Sequence, residues 1–213
     1  MRKIVLLSLI FFSLLISSCS TNTPQPTPQV VSVYSSFAAE PWLSELYDCA
    51  AMQNNVVLSR VDDSSTADIV LQIGEPSVAS FAYQIDTEKM LVVTHRQSPI
   101  QNLNLQGVQA LFMGLGDPSV QVWVYASEAD VQKAFDQLVM EGRSVTSSAV
   151  VAVNPQQMSD TLNVEPNTVG ILPKHWKAGD SREVFNAGTV PVLALTKSEP
   201  QGMIKELIAC LQK

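Results

Sequence analysis

Residues 120–142 read VQVWVYASEADVQKAFDQLVMEG, and this stretch contains a strand, a turn and a helix in succession. The β-branched and aromatic residues of segment 120–125 predict a strand. Ser127 and Asp130 then have the spacing of a helix capping box. The apolar stripe of the following helix consists of Val131, Ala134, Phe135, Leu138 and Val139 and ends before Gly142. We therefore expect a strand that leads directly into a helix.

The same alternation continues on both sides of this unit. It predicts an α/β fold with largely parallel sheets, in which ligands bind beyond the carboxyl ends of the strands. Strands are predicted at 30–34, 56–61, 67–73, 81–85, 90–94, 149–153, 169–172 and 190–195, and further helices at 41–52, 105–112, 155–162 and 200–212.

The N-terminus has the pattern of an export signal. Arg2 and Lys3 precede an apolar run at 4–16. A helix of that length reaches only about 20 Å, which is short of the roughly 30 Å hydrocarbon core of a bilayer. We therefore interpret residues 1–18 as a signal peptide rather than a membrane-spanning helix.

The signal ends in Ile16-Ser17-Ser18-Cys19, which resembles the bacterial lipobox. The resemblance implies lipidation of Cys19 and attachment to the extracytoplasmic face of the cell membrane, with the lipid bilayer as a partner. The alternative is an ordinary cleaved signal with an incidental cysteine. Prolines alternate with polar residues up to position 29, so residues 19–29 are interpreted as the lipidated cysteine and an extended tether.

Charge and cysteine content restrict the remaining possibilities. The chain carries 20 acidic and 13 basic residues, and an acidic surface argues against nucleic-acid binding. If Cys19 carries lipid, Cys49 and Cys210 remain. In a non-cytosolic compartment they can form a disulfide or stay as two buried thiols.

Three stretches together resemble one family, the phosphate-type periplasmic substrate-binding proteins, which are the extracytoplasmic receptors of ABC importers. They are HRQSPIQNLNLQGVQALFMG (95–114), EPNTVGIL (165–172) and VWVYASEADVQKAF (122–135). The resemblance implies a type II architecture of two α/β lobes around a central cleft. It places residues 30–90 and 177–213 in the first lobe and residues 91–176 in the second.

One part of the resemblance is degenerate. Where the family has Ser-Gly-Thr for anion binding, this sequence has Ala129, Asp130 and Val131, and Tyr125 stands near the position of the family's arginine. An aspartate would repel an anion that hydroxyls and backbone amides would bind. We therefore do not carry phosphate over as the ligand.

The resemblance also suggests which residues face the cleft. They are Ser35, Ser36, Phe37 and Ser77 from the first lobe, with Ser127 and Asp130 from the second. Helix capping and ordinary turns explain the same residues without any ligand. Helices 41–52 and 200–212 would share the first lobe, which makes a disulfide between Cys49 and Cys210 possible.

No pattern in the sequence indicates catalysis or a cofactor. His95 and His175 lie far apart, no nucleophile elbow is present, and Gly114-Leu115-Gly116 lacks the third glycine of a dinucleotide loop. The cysteines and histidines lack the short paired spacings of zinc sites. We therefore expect neither an enzyme nor a metalloprotein.

The leading functional hypothesis is a solute-binding lipoprotein of an ABC-type importer, which binds a small ligand between its lobes and delivers it to a permease. The alternative is a degenerate binding-protein fold that acts as a sensory or scaffolding lipoprotein and binds another protein. Ligand-dependent stabilisation would distinguish the two.

Overall fold

A computed structural model describes residues 28–76 and 80–212 of the chain. The predicted signal peptide, Cys19, most of the tether and Ser77 lie outside the described residues. Within the described part, no helix is both long and apolar enough to cross a bilayer.

The described residues form eight strands and five α-helices in the predicted alternation. The strands are β1 (Gln29–Ser35), β2 (Val56–Arg60), β3 (Ile69–Ile73), β4 (Phe81–Thr94), β5 (Gln121–Tyr125), β6 (Val150–Ala152), β7 (Thr168–Pro173) and β8 (Arg182–Thr196). The helices are α1 (Glu40–Ala51), α2 (Leu105–Phe112), α3 (Asp130–Phe135), α4 (Pro155–Val164) and α5 (Gly202–Leu211). A π-helical turn, Asp136–Met140, continues α3, and a 3-10 turn, Lys174–Trp176, follows β7.

The strands are ordered β2-β1-β3-β8-β4-β7-β5-β6 in one sheet. The group β2-β1-β3 is parallel, and so is the group β7-β5-β6. Between them, β4 and β8 pair antiparallel along almost their whole length. β3 pairs with the C-terminal part of β8, whereas β7 pairs with the C-terminal part of β4. The two parallel groups therefore lie toward opposite ends of this central ribbon, and each forms the sheet of one lobe.

This topology confirms the predicted two-lobed α/β class. The chain enters the second lobe through β4 and returns through β8. The lobe boundaries inferred from the sequence, at 90/91 and 176/177, stay a prediction.

The prediction of two separate strands at 81–85 and 90–94 is wrong. β4 runs unbroken through the polar residues 86–89, because β8 pairs with it throughout and bulges absorb the irregularities. Glu88, in the middle of this strand, is buried, and its carboxylate accepts the N–H groups of Lys89 and Lys174 at 2.8 and 3.0 Å. The sequence prediction for β8 was also too short, since the strand begins at Arg182 rather than at 190.

The two helices that flank the sheet of the first lobe are joined covalently. Cys49 on α1 and Cys210 on α5 form a disulfide, with their Cα atoms 6.0 Å apart. Leu46 on α1 and Leu207 on α5 are fully buried in the same core.

The 3-10 turn after β7, Lys174–Trp176, makes contacts with both β4 and α1. His175 pairs with the buried Glu88, and its ring packs edge-on against Trp42, with centroids 4.6 Å apart. The indole N–H of Trp176 donates to the carbonyl of Ala38 at 3.1 Å. This turn therefore ties the end of β7 to the start of α1.

Candidate functional site

A cavity of about 410 Å³ lies where the carboxyl ends of β1 and β3 meet those of β5 and β6. Strands from both lobes end here, as expected for the ligand crevice of an α/β sheet. The polar side chains on its wall are those of Tyr34, Ser36, Ser64, Gln72, Glu75, Tyr125, Glu128, Asp130, Lys133, Gln137 and Asn154.

Three of the residues predicted to face the cleft line this cavity. They are Ser36 and Phe37 from the first lobe and Asp130 from the second, and Phe37 is 55% exposed. Ser35 does not line it, because its side chain is buried and its hydroxyl donates to the carbonyl of Ser36 at 2.9 Å. Ser77 lies outside the described residues.

The capping box predicted for Ser127 and Asp130 is wrong. The residue before α3 is Ala129, which provides no side-chain cap. Ser127 is exposed, its hydroxyl donates to the carboxylate of Glu128 at 3.2 Å, and it does not line the cavity. Instead, the carboxylate of Asp130, the first residue of α3, accepts the N–H of Val131 at 2.9 Å. This side chain therefore satisfies one of the N–H groups at the start of the helix.

Asp130 also connects the two lobes. One of its carboxylate oxygens accepts the Ser36 hydroxyl at 2.5 Å and the backbone N–H of Ile73 at 3.0 Å, both in the first lobe. Burial raises the pKa of Asp130, and the hydrogen bonds from Ser36, Ile73 and Val131 oppose that rise. Asp130 therefore forms a polar bridge between the two lobes across the cleft.

Tyr125, which the sequence resemblance suggests near the position of an arginine, is buried at the end of β5. Its hydroxyl donates to the carbonyl of Ile171 at 3.0 Å, and its N–H donates to Gln132 at 3.0 Å. Burial raises the pKa of this phenol, with a further contribution from the charge of Asp130. Tyr125 is therefore a neutral group that cannot replace the charge of an arginine.

Sequence reasoning missed several residues of the cavity wall, among them Lys133, Gln137 and Asn154. Lys133 and Gln137 belong to the helical segment that starts at Asp130, and Asn154 follows β6 and accepts the N–H of Gln157 at 2.9 Å. The rule that ligands bind beyond strand ends could have identified Asn154. Whether Lys133 and Gln137 reach the cavity depends on how the two lobes face each other, and no local sequence pattern predicts that.

The charges on the wall are mainly acidic. Glu75, Glu128 and Asp130 contribute three carboxylates, and Lys133 contributes one ammonium group. Phe37 and Val153, which is 73% exposed, add apolar surface from opposite lobes. In the described part of the chain, no group of three or more His, Cys, Asp and Glu side chains is arranged to hold a metal ion.

No protein-family model and no curated protein sequence matches this chain. Solved structures do match it. One is a protein from Clostridium perfringens, with phosphate bound, described as a phosphate ABC transporter substrate-binding protein. It is 14% identical, with a TM-score of 0.76 over 86% of this chain and 93% of that one. The chain has the fold of the type II periplasmic binding proteins.

Two further structures show the same binding-protein fold. An ABC-type phosphate transport receptor from Vibrio cholerae is 16% identical, with a TM-score of 0.63 over 86% of this chain and 93% of that one. The regulatory domain of CcmR from Synechocystis, in complex with 2-PG, is 10% identical, with a TM-score of 0.66 over 86% and 95%. The fold is thus shared by transport receptors and by regulatory domains, and at these identities the likeness concerns the fold alone.

Proposed function

We propose that this protein is an extracytoplasmic solute-binding lipoprotein that holds a small ligand between its two lobes, without catalysis, and delivers it to an ABC-type permease. The observation that carries the proposal is the cavity of about 410 Å³ at the strand ends of both lobes, which has the size of a small-molecule site. The fold shared with transport receptors, together with the lipobox-like Ile16-Ser17-Ser18-Cys19, supports this role.

The wall chemistry favours a cationic or hydroxylated ligand. Three carboxylates face one ammonium group, so an oxyanion would enter against a net negative charge. Hydroxyl and amide groups, including those of Tyr34, Ser64 and Gln72, can donate or accept hydrogen bonds. The phosphate of the similar receptors is therefore not proposed for this protein.

A panel of ligands tests the proposal directly. The protein is expressed from its full sequence, purified in detergent without reductant, and unfolded by heat while the fluorescence of its tryptophans is followed. Phosphate, sulfate, sugars, amino acids and polyamines are added in turn. A true ligand at a hundred times its dissociation constant should stabilise the fold by about 2.7 kcal/mol. A response to phosphate would contradict the assignment of ligand class.

A pair of matched variants locates the binding site of a cationic ligand. Glu128→Gln removes an exposed carboxylate from the cavity wall, whereas Glu45→Gln removes an exposed carboxylate from α1, outside the wall. Glu128→Gln should weaken binding roughly 1.5- to 5-fold, the range expected for an exposed charge pair. Glu45→Gln should leave affinity unchanged, and equal losses in both variants would show that the ligand binds elsewhere.

One observation favours the alternative function. The bond between Ser36 and Asp130 joins the lobes by protein groups alone, so the lobes can stay together without a ligand, as expected of a degenerate receptor that serves as a sensory or scaffolding lipoprotein. This alternative predicts no stabilisation by any member of the panel. It also predicts a stoichiometric complex with a membrane-fraction protein, detectable by size-exclusion chromatography with mass measurement.

A further inference from the structure

Three hydrogen-bond donors converge on a single carboxylate inside the cleft. The Ser36 hydroxyl lies 2.5 Å and the Ile73 N–H 3.0 Å from one oxygen of Asp130, and the Val131 N–H lies 2.9 Å from the other. Two of these donors belong to the ends of β1 and β3 in the first lobe, and the third belongs to the second lobe. The carboxylate is therefore bound from both sides of the cavity.

All three donors are neutral groups. One is a hydroxyl and two are backbone N–H groups. A hydroxyl and backbone N–H groups that converge on one point are suited to an oxyanion, because its charged oxygens accept hydrogen bonds. Here the anion that they bind is a side chain of the protein itself.

We propose that Asp130 is a built-in anion that occupies a latent oxyanion site made by the Ser36 hydroxyl and the N–H groups of Ile73 and Val131. Its carboxylate satisfies the donors that a free oxyanion would use, and its charge repels any competing anion. Because the donors belong to both lobes, the same contact holds the cleft together in the absence of a ligand. Asp130 thereby determines specificity by exclusion.

This inference does not depend on the identity of the solute. The cavity extends well beyond Asp130, so a cation or a hydroxylated compound can bind beside the carboxylate while oxyanions stay excluded. If no compound of the ligand panel stabilised the protein, the proposed function would be refuted, but the inference of a latent site would not be. Conversely, if the Asp130 variants gained no affinity for anions, the latent site would be refuted, but the results of the ligand panel would still stand.

Removal of the carboxylate tests the latent site. Asp130→Gly empties the position while leaving Ser36, Ile73 and Val131 in place. The variant is titrated with inorganic phosphate, sulfate and formate by isothermal calorimetry and by thermal unfolding. We expect at least one of these anions to bind Asp130→Gly ten times or more tightly than it binds the wild-type protein. Formate is included because it restores the missing carboxylate group without its tether.

Two control variants distinguish the effect of the Asp130 charge from the effect of the space that its side chain fills. Asp130→Asn removes the charge but still fills the position, so it should gain no affinity for anions. Asp130→Gly combined with Ser36→Ala lacks the hydroxyl donor, and it should bind the anion about tenfold more weakly than Asp130→Gly alone, as expected for a lost hydrogen bond to a charged group.

Several outcomes would overturn the inference. One is a folded Asp130→Gly protein that binds none of the three anions more tightly than the wild type. Another is a wild-type protein that binds phosphate as tightly as the variant. If Asp130→Gly does not fold, Asp130→Ala is measured instead, since alanine favours the helix. If neither variant folds, and neither phosphate nor formate restores folding, then no free anion can replace the carboxylate.

Discussion

The carboxyl group of Asp130 should give the protein a distinctive pH response. Burial raises its folded pKa, and its three hydrogen bonds only partly oppose this. The folded state therefore binds the proton more tightly than the unfolded chain does, and protonation stabilises the fold. This stabilisation is complete below the unfolded pKa of about 3.9, and it is lost as the pH rises through the raised folded pKa.

The free energy of unfolding of the wild type minus that of Asp130→Asn should therefore fall as the pH rises from about 3 and reach a plateau above the folded pKa. Urea denaturation across this range measures the difference. Asp117→Asn is a control in which the pH dependence of stability should have the opposite direction, because hydrogen bonds from Ser119 lower the pKa of the exposed Asp117. The contribution of Asp117 is present above the unfolded pKa and is lost as the pH falls. Parallel wild-type and Asp130→Asn curves would contradict the prediction.

At the scale of single residues, the sequence identified part of the site. Ser36, Phe37 and Asp130 line the cavity because they follow strand ends, and strand ends can be read from local patterns. Neighbouring residues of an extended chain point to opposite sides, so Ser35 faces inward while Ser36 faces the cavity. The bond between Ser36 and Asp130 spans 94 residues and depends on how the lobes meet. No local pattern could have revealed it.

Among the secondary-structure elements, β7 contains a glycine, Gly170, where the packing of α4 leaves no room for a side chain. A Cβ atom at Gly170 would overlap the sulfur of Met158, a fully buried residue of α4. Gly170→Ala should therefore destabilise the protein by about 1–3 kcal/mol, as overpacking typically does. Chemical denaturation measures the loss.

A double variant tests the cause of that loss. Met158→Ala removes the overlapping sulfur, so Gly170→Ala with Met158→Ala should cost less than the sum of the two single changes. Strict additivity would mean that the glycine matters for another reason. The resemblance to the binding-protein family includes Gly170 in a motif, but the packing partner became evident only in the folded structure.

The central ribbon shows where prediction of elements fails. The sequence predicts two strands in place of β4, because the run Asp86, Thr87, Glu88 and Lys89 is polar enough to suggest a turn. In the fold, β8 pairs with this run, and the N–H groups of Lys89 and Lys174 satisfy the buried carboxylate of Glu88. β8 and Lys174 are distant from this run in sequence, whereas the short helices and strands elsewhere follow from local periodicity.

At the scale of the whole molecule, the disulfide should dominate stability. Cys49 and Cys210 are 161 residues apart, and closing a loop of that length is worth about 5 kcal/mol in the chain-entropy description. The Cys49→Ser, Cys210→Ser double variant should lose a comparable amount in urea denaturation. Wild-type protein treated with a reductant is the matched control and should lose the same. A loss below about 1 kcal/mol would contradict the entropic account.

The proposed lipid anchor would be a property of the whole molecule as well. Cells that express the protein are grown with an alkyne-bearing fatty acid, and the purified protein is tested for label. Cys19→Ala should abolish the label and move the protein out of the membrane fraction, because one cysteine would carry all the acyl chains. The Cys49→Ser, Cys210→Ser double variant should keep both properties. Label on Cys19→Ala would refute anchoring through this residue.

The disulfide also has a consequence for cleavage of the backbone. From Cys49 through the second lobe and back to Cys210, the chain forms a closed covalent circuit. Arg143 lies exposed in the segment after the π-helical turn, between the two cysteines in sequence. A single cut there by trypsin opens the circuit without releasing either piece. The nicked protein should migrate as one band on a non-reducing gel and as two bands after reduction.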